Sequence, residues 1–368
     1  MRPFVLSLAM MLGLVVAVNL VATWDQECRD RRLEAGAARL APGLVVAFDG
    51  QVDERRFQQA RLEVIGRPRI VAFGSSRVRD VASEIAGAVP GKFYNAGMSA
   101  AGVDDYIALW SLLERRGNVP EVAVFSVDAW VLSAGNDAPR WIALAPEVAR
   151  FLDVAGARAG MPLLAQQLLY RWYQAKEFLS FAVLQSSVRD LARGVAGHRQ
   201  RGDDLLHTMS AGLVREADVG ARQAIRVDGS VIRPKEMRDR STDLVREEVV
   251  RHVSGGPYGL ADFRWEPARG ERLAALWRDM RAAGVDLVVY MPPYHPAAWA
   301  LLEANPRHAA SLRQAKDFLA RLSREVGASF VDASDPASIP CAEADFYDMQ
   351  HATPDCLRRL WQRLLPRR

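Results

Sequence analysis

Pro68-Arg69-Ile70-Val71-Ala72-Phe73-Gly74-Ser75-Ser76 is the stretch on which the fold turns. An apolar run too short for a helix, closed by glycine and two serines, reads as a buried strand. Working outward, Phe93-Tyr94-Asn95 is a second such strand and Glu121 to Val127 a third, with helical patterns between them. Gly284 to Met291 forms a fourth, preceded by the amphipathic stretch Glu271 to Ala283, and Ala328 to Asp332 forms a fifth. Strands alternating with helices imply a three-layer α/β/α sandwich on a doubly wound parallel sheet of about five strands, whose sites form beyond the strands' carboxyl ends.

The remaining sequence hangs on this frame. The interval 138–270 reads as a helical insertion, with Val227-Asp228-Gly229-Ser230-Val231 as the turn of a small hairpin. Within it, Leu163 to Tyr173 has the pattern of an amphipathic helix, and the cluster Tyr170, Trp172, Tyr173 and Phe178 fits the lining of a sugar site, although its helical spacing favours a core face. The composition, 50% hydrophobic and 25% charged over 368 residues, is that of a folded body. The net charge of +4 comes from arginines scattered through helical segments, so it gives no nucleic-acid footprint.

From Pro3 to Trp24 the chain carries no charged side chain. At about 1.5 Å per residue, a helix of that length spans a bilayer core of about 30 Å. The small-x-small candidates for signal cleavage, such as Val21-Ala22-Thr23, are poor, so residues 1–24 are expected to be an uncleaved single-pass anchor. Arg2 before the segment, against Arg29, Arg31 and Arg32 after it, opposes export of the body. A two-residue head gives that rule little to count, however, and long domains translocate largely regardless of charge. Residues 25–61 read as a charged helical stalk, leaving 62–368 as the α/β body.

The chemistry lies at the two ends of the α/β pattern. Gly74-Ser75-Ser76 closes the first strand, where a serine in a tight turn exposes its hydroxyl and offers its amide to an oxyanion. Asp348-Met349-Gln350-His351 follows the fifth strand, and an Asp-x-x-His turn can hold an imidazole while the carboxylate fixes its tautomer. Asn95-Ala96-Gly97-Met98-Ser99-Ala100-Ala101-Gly102 closes the second strand with small residues that let backbone amides approach a tetrahedral intermediate. Cys341 and Cys356 bracket the Asp348-His351 turn, so a disulfide there would staple it and place the body in an oxidising compartment. Its Cα atoms are expected about 4.4 to 6.8 Å apart.

These blocks resemble the SGNH/GDSL hydrolase superfamily. The resemblance covers roughly residues 68–130 and 284–365. It implies Ser76 as nucleophile, His351 as general base and Asp348 as its orienter, with the amides of Ser76 and Ala100 in the oxyanion hole. The chain departs from the family in reading Gly-Ser-Ser rather than Gly-Asp-Ser. The third-block donor falls either to Asp128 or to Asn136. Asn95, Arg77, Tyr294 and His295 are the expected substrate contacts. With the anchor and Met291-Pro292-Pro293-Tyr294-His295-Pro296, the chain resembles the membrane-tethered branch that includes alginate and exopolysaccharide O-acetylation and teichoic acid D-alanylation proteins. That branch implies an O-acetyltransferase or esterase outside the cytoplasmic membrane, acting on a cell-surface polysaccharide or its acyl donor beside a membrane-bound O-acyltransferase. No cofactor, metal or nucleic acid is expected. Two other readings compete: a catalytically silent scaffold that binds the polymer or membrane enzyme, and a metal-dependent hydrolase using Asp348, His351 and either His295 or Asp345.

Overall fold

The computed structural model describes residues 2–49, 52–134, 140–154, 212–255 and 260–365. Helix α1 (Arg2–Arg39), strand β1 (Leu44–Phe48) and helix α2 (Glu54–Leu62) come first, followed by β2 (Ile70–Gly74) and β3 (Phe93–Asn95). Next are α3 (Val103–Arg115), β4 (Val122–Ser126), α4 (Ala145–Val154), β5 (Gly212–Arg215), β6 (Gln223–Arg226) and β7 (Val231–Ile232). Helices α5 (Lys235–Arg238), α6 (Thr242–Ser254) and α7 (Pro267–Ala282) lead to β8 (Asp286–Met291). Helices α8 (Pro296–Ala304) and α9 (Pro306–Val326), β9 (Ser329–Asp332) and α10 (Pro354–Leu364) close the described chain.

Five strands form one all-parallel sheet in the order β3-β2-β4-β8-β9. The chain steps from β2 outward to β3, then returns to the other side of β2 to lay down β4. The strand order therefore reverses between β2 and β4, which opens a crevice at their carboxyl ends. Side chains alternate between the faces with period two. Val71, Phe73, Ala123, Phe125, Leu287 and Val289 join a core with α3, α7 and α9, whereas Ile70, Ala72, Val124, Val288 and Tyr290 join one with α10. Phe73 stacks on its register partner Phe125 at 4.8 Å, and Trp277 meets Phe125 edge-on at 5.5 Å. Gly74 is the last residue of β2, and glycine is needed there because a Cβ would lie 2.8 Å from the Cβ of its register partner Ser126.

A second sheet, antiparallel in the order β5-β1-β6-β7, extends the expected hairpin by two strands, β1 and β5, that the sequence reading lacks. It corrects the expected stalk: residues 25–61 contain a sheet strand and a largely buried helix rather than a spacer. Leu33 and Ala37 of α1 pack with Val46, Phe48, Phe57, Ile225 and Val231 in a satellite core. Arg61 of α2 donates to the carbonyls of Ala37 and Leu40, at the carboxyl end of α1 where a cation is favoured. The hairpin read at Asp228-Gly229 joins β6 to β7. Gly229 has φ +81°, and a Cβ on it would lie 2.1 Å from the Asn95 carbonyl, so only glycine lets the hairpin tip dock on the end of β3. Asn95 N donates to Asp228 O at 2.7 Å across that junction.

Among the described residues no helix is long and apolar enough to cross a membrane. The anchor expected over residues 1–24 falls on the first part of α1, many of whose side chains lie outside the described residues. The helix read over Leu163 to Tyr173 and its aromatic cluster also lie outside them.

Candidate active site

Ser76 emerges from β2 at the crevice. From Ile70 to Ser83 every residue is buried except Ser76. Its neighbours are anchored on both sides by one carboxylate, since Ser75 Oγ donates to Asp128 Oδ2 at 2.7 Å and Arg77 Nη1 to Asp128 Oδ1 at 2.6 Å. Asp128 follows β4, so the pair clamps the Ser76 turn across the point where the strand order reverses. The Ser76 carbonyl accepts from Arg233 Nη2 at 2.9 Å, and Arg233 is itself held by Asp80. Arg233 follows β7, so the antiparallel sheet also supports this turn.

The histidine turn is built as rigidly. Tyr347 N donates to His351 O at 2.8 Å and Thr353 N to Asp345 O at 2.8 Å, closing the loop on itself just before α10 begins at Pro354. Cys341 and Cys356 form the expected disulfide, with Cα atoms 5.4 Å apart. Asp345 accepts from the Ala342 amide and from Arg359. His295 N donates to Met349 O at 3.0 Å, and Arg77 Nε to Gln350 O at 2.9 Å.

These supports bring the two turns together. His351 Nε2 lies 2.7 Å from Ser76 Oγ, and His351 Nδ1 lies 2.7 Å from Asp348 Oδ2. The other oxygen of Asp348 accepts from the amides of Gln350 and His351, both at 2.9 Å. Burial pushes the Asp348 carboxyl up, but the His351 ring and the two amides outweigh it and hold the group well below the usual carboxylate range. An ionised carboxylate only accepts, so it fixes the proton on Nδ1 and leaves Nε2 to accept from the serine hydroxyl.

The loop after β3 lies across the end of β2: Ala96 N donates to Ala72 O and Met98 N to Gly74 O. Ala100 sits in it with φ 52°, alone among the described non-glycine residues in having a positive φ. No described backbone carbonyl accepts from its amide.

Several expected roles change. Asp128 is 1% exposed and accepts from both Ser75 and Arg77, so it cannot donate to an oxyanion. Asn136 lies outside the described residues. Asn95 is fully buried and does not face substrate: its Nδ2 donates to Val78 O and Val81 O, both at 2.8 Å, and its Oδ1 accepts from Gly97 N. Arg77 is likewise buried. Besides Asp128 and Gln350 it donates to Pro293 O, and it stacks 4.4 Å from the centre of the Tyr294 ring. Burial pushes the Tyr294 phenol up to about 12, which keeps it neutral under that cation. His295 is fully buried, and its Nδ1 accepts from Ala297 N to cap α8. The motif reading missed these supporting roles, and Arg233 with them, because sequence shows a polar side chain without showing which way it turns.

Asp348, Met349 and Gln350 also form one wall of a cleft of about 710 Å³, faced by Arg240 and by Val249 and His252 of α6. That volume is in the range of ligand sites. Among the described residues no three His, Cys, Asp or Glu side chains converge to hold a metal ion. The chain matches no protein-family model and no curated protein.

Proposed function

We propose that this chain is a membrane-anchored serine acyltransferase or esterase of the SGNH type, acting outside the cytoplasmic membrane on O-acyl groups of a cell-surface polysaccharide. The observation that carries the reading is the unbroken relay from Ser76 Oγ through His351 to Asp348, with 2.7 Å at each step. The Cys341–Cys356 disulfide supports an oxidising compartment, and the uncharged run from Pro3 to Trp24 supports attachment to a membrane.

In the first half-reaction Ser76 Oγ attacks the acyl carbonyl carbon while its proton passes to His351 Nε2. Asp348 stabilises the imidazolium, and the amides of Ser76 and Ala100 receive the oxyanion at about 3 kcal/mol per donor. Collapse breaks the bond to the leaving alcohol, which takes the proton from His351 and leaves an acyl-serine. In the second half, an acceptor hydroxyl gives its proton to His351 and attacks the acyl carbon; collapse breaks the bond to Ser76 Oγ, which takes that proton back from His351. Water in that role makes an esterase and a sugar hydroxyl makes a transferase. The cleft bordering Asp348 supports an acceptor site beside the triad, since its volume is that of a ligand site. A membrane-bound O-acyltransferase is the natural upstream donor for such an enzyme.

The test uses 4-nitrophenyl acetate and a serine-directed fluorophosphonate. The wild type should release a burst of nitrophenol equal to the enzyme, then turn over faster when an oligosaccharide acceptor is added, and the fluorophosphonate should label Ser76. Ser76→Ala should lose the burst and on the order of a thousandfold in turnover. Unchanged turnover in Ser76→Ala would return the chain to the reading of a silent scaffold.

A further inference from the structure

Helix α2 reaches into the loop that carries Ala100. Glu54, its first residue, accepts from the Ser99 amide at 2.6 Å through Oε2 and from the Ser99 hydroxyl at 3.1 Å through Oε1. Arg79 in the nucleophile turn pairs with Glu54 Oε1 at 2.7 Å and also donates to Ser99 Oγ at 2.9 Å. One residue on, Arg55 is buried against Asp105 through both carboxylate oxygens at 2.8 Å, and its Nη1 reaches Ser99 O. Asp105 in turn accepts from Gly102 N at 2.9 Å, and Gln58 donates to the carbonyls of Asn95 and Gly97. Every polar atom of Ser99 is thus engaged, and the loop is held on both sides of Ala100.

Ala100 is the residue that needs holding. At φ 52° it is in the left-handed region, which alanine occupies only where its surroundings impose it. Released from the clamp, the residue would relax to negative φ, and its amide would turn away from where it stands now. We propose that Glu54 is a positioning residue for the oxyanion donor at Ala100, so that α2 belongs to the catalytic unit. This rests on the serine acyl-transfer reading above and adds a residue from a segment that shares no motif with the triad.

The experiment is a double-mutant cycle in the full-length protein, read as the acylation rate constant and apparent KM in the burst phase with 4-nitrophenyl acetate. Glu54→Gln should lower the acylation rate by about tenfold to a hundredfold, below the cost of deleting a donor outright, with little change in KM. Glycine adopts positive φ without strain, so it needs the clamp less. The Glu54→Gln penalty should therefore shrink by about threefold or more when measured in an Ala100→Gly background. A support acting only through global stability would give the same penalty in both backgrounds. If Glu54→Gln depletes the native protein, Ser99→Ala is the second variant: it removes only the hydroxyl's share of the clamp and should show a smaller penalty with the same relief by Ala100→Gly. A wild type that gives no Ser76-dependent burst would end the acyl-transfer reading and this inference with it. A wild-type burst together with an unchanged rate in Glu54→Gln, or with equal penalties in both backgrounds, would overturn this inference alone.

Discussion

Asp348 does two jobs at the scale of the single residue, and one substitution separates them. Its carboxylate orients the His351 ring, so Asp348→Asn should leave the wrong nitrogen protonated and cost on the order of a thousandfold or more in turnover of the activated ester. The same carboxyl is held well below its ordinary value of 3.8. A group depressed in the folded state stabilises it above the unfolded value and loses that contribution as pH falls through the folded value. The difference in melting temperature between wild type and Asp348→Asn should therefore narrow as pH drops from about 6 to about 2. A difference that widens in acid would contradict the geometry at Asp348. The triad was legible in the sequence because a nucleophile turn and an Asp-x-x-His turn are local and each follows a readable strand. Arg77, Asn95, Tyr294 and His295 were misread as substrate contacts because a polar side chain beside a site can turn inward to brace it. Here all four do.

At the scale of elements, the central strands β2, β4 and β8 were readable because each is an apolar run that its neighbours bury on both faces. Of the antiparallel sheet, only the β6–β7 hairpin was. Its strands are four or five residues long or shorter, and β1 finds both its partners after residue 211. The signal was present all the same, since Leu44-Val45-Val46-Ala47-Phe48 is an apolar run framed by Pro42-Gly43 and Asp49-Gly50. The Asp345–Thr353 loop shows what an element without regular structure needs in order to hold Asp348 against His351, and the disulfide is its covalent part. Closing a loop with a sequence separation of 15 is worth about 3 kcal/mol in the chain-entropy account. Replacing both Cys341 and Cys356 by alanine should lower stability to urea by about that amount, and wild type under reductant should behave the same way. Because the histidine turn lies inside the stapled loop, kcat should also fall, whereas KM for a small ester should not. A double variant as stable as wild type in urea would show that the remaining contacts alone fix the turn.

For the whole molecule, the question is where the catalytic unit begins. The sequence places the boundary after residue 61, on the view that an anchor and a spacer precede the body. The contacts move it forward. Leu33 and Ala37 of α1 lie in the satellite core, β1 is flanked by β5 and β6, and Asp30 Oδ1 accepts from Asp53 N just ahead of α2. Arg55 and Asp105 are each 4% exposed at the side chain, so removing α2 would strand a buried carboxylate without its partner. Breaking such a pair from one side costs about 3–5 kcal/mol, a large part of an ordinary domain's stability. A chain lacking residues 2–24 should therefore be monodisperse and keep the full burst with 4-nitrophenyl acetate, whereas the full-length protein should sediment with membranes and the truncated one should not. A chain lacking residues 2–61 should lose the burst and the cooperative unfolding transition together, because it has lost a sheet strand, the Arg55 partner of Asp105 and the Glu54 clamp on Ser99. Circular dichroism melts on the two truncations, run beside the burst assay, decide the matter. A cooperative, active protein beginning at residue 62 would show that the amino-terminal segment is only a tether.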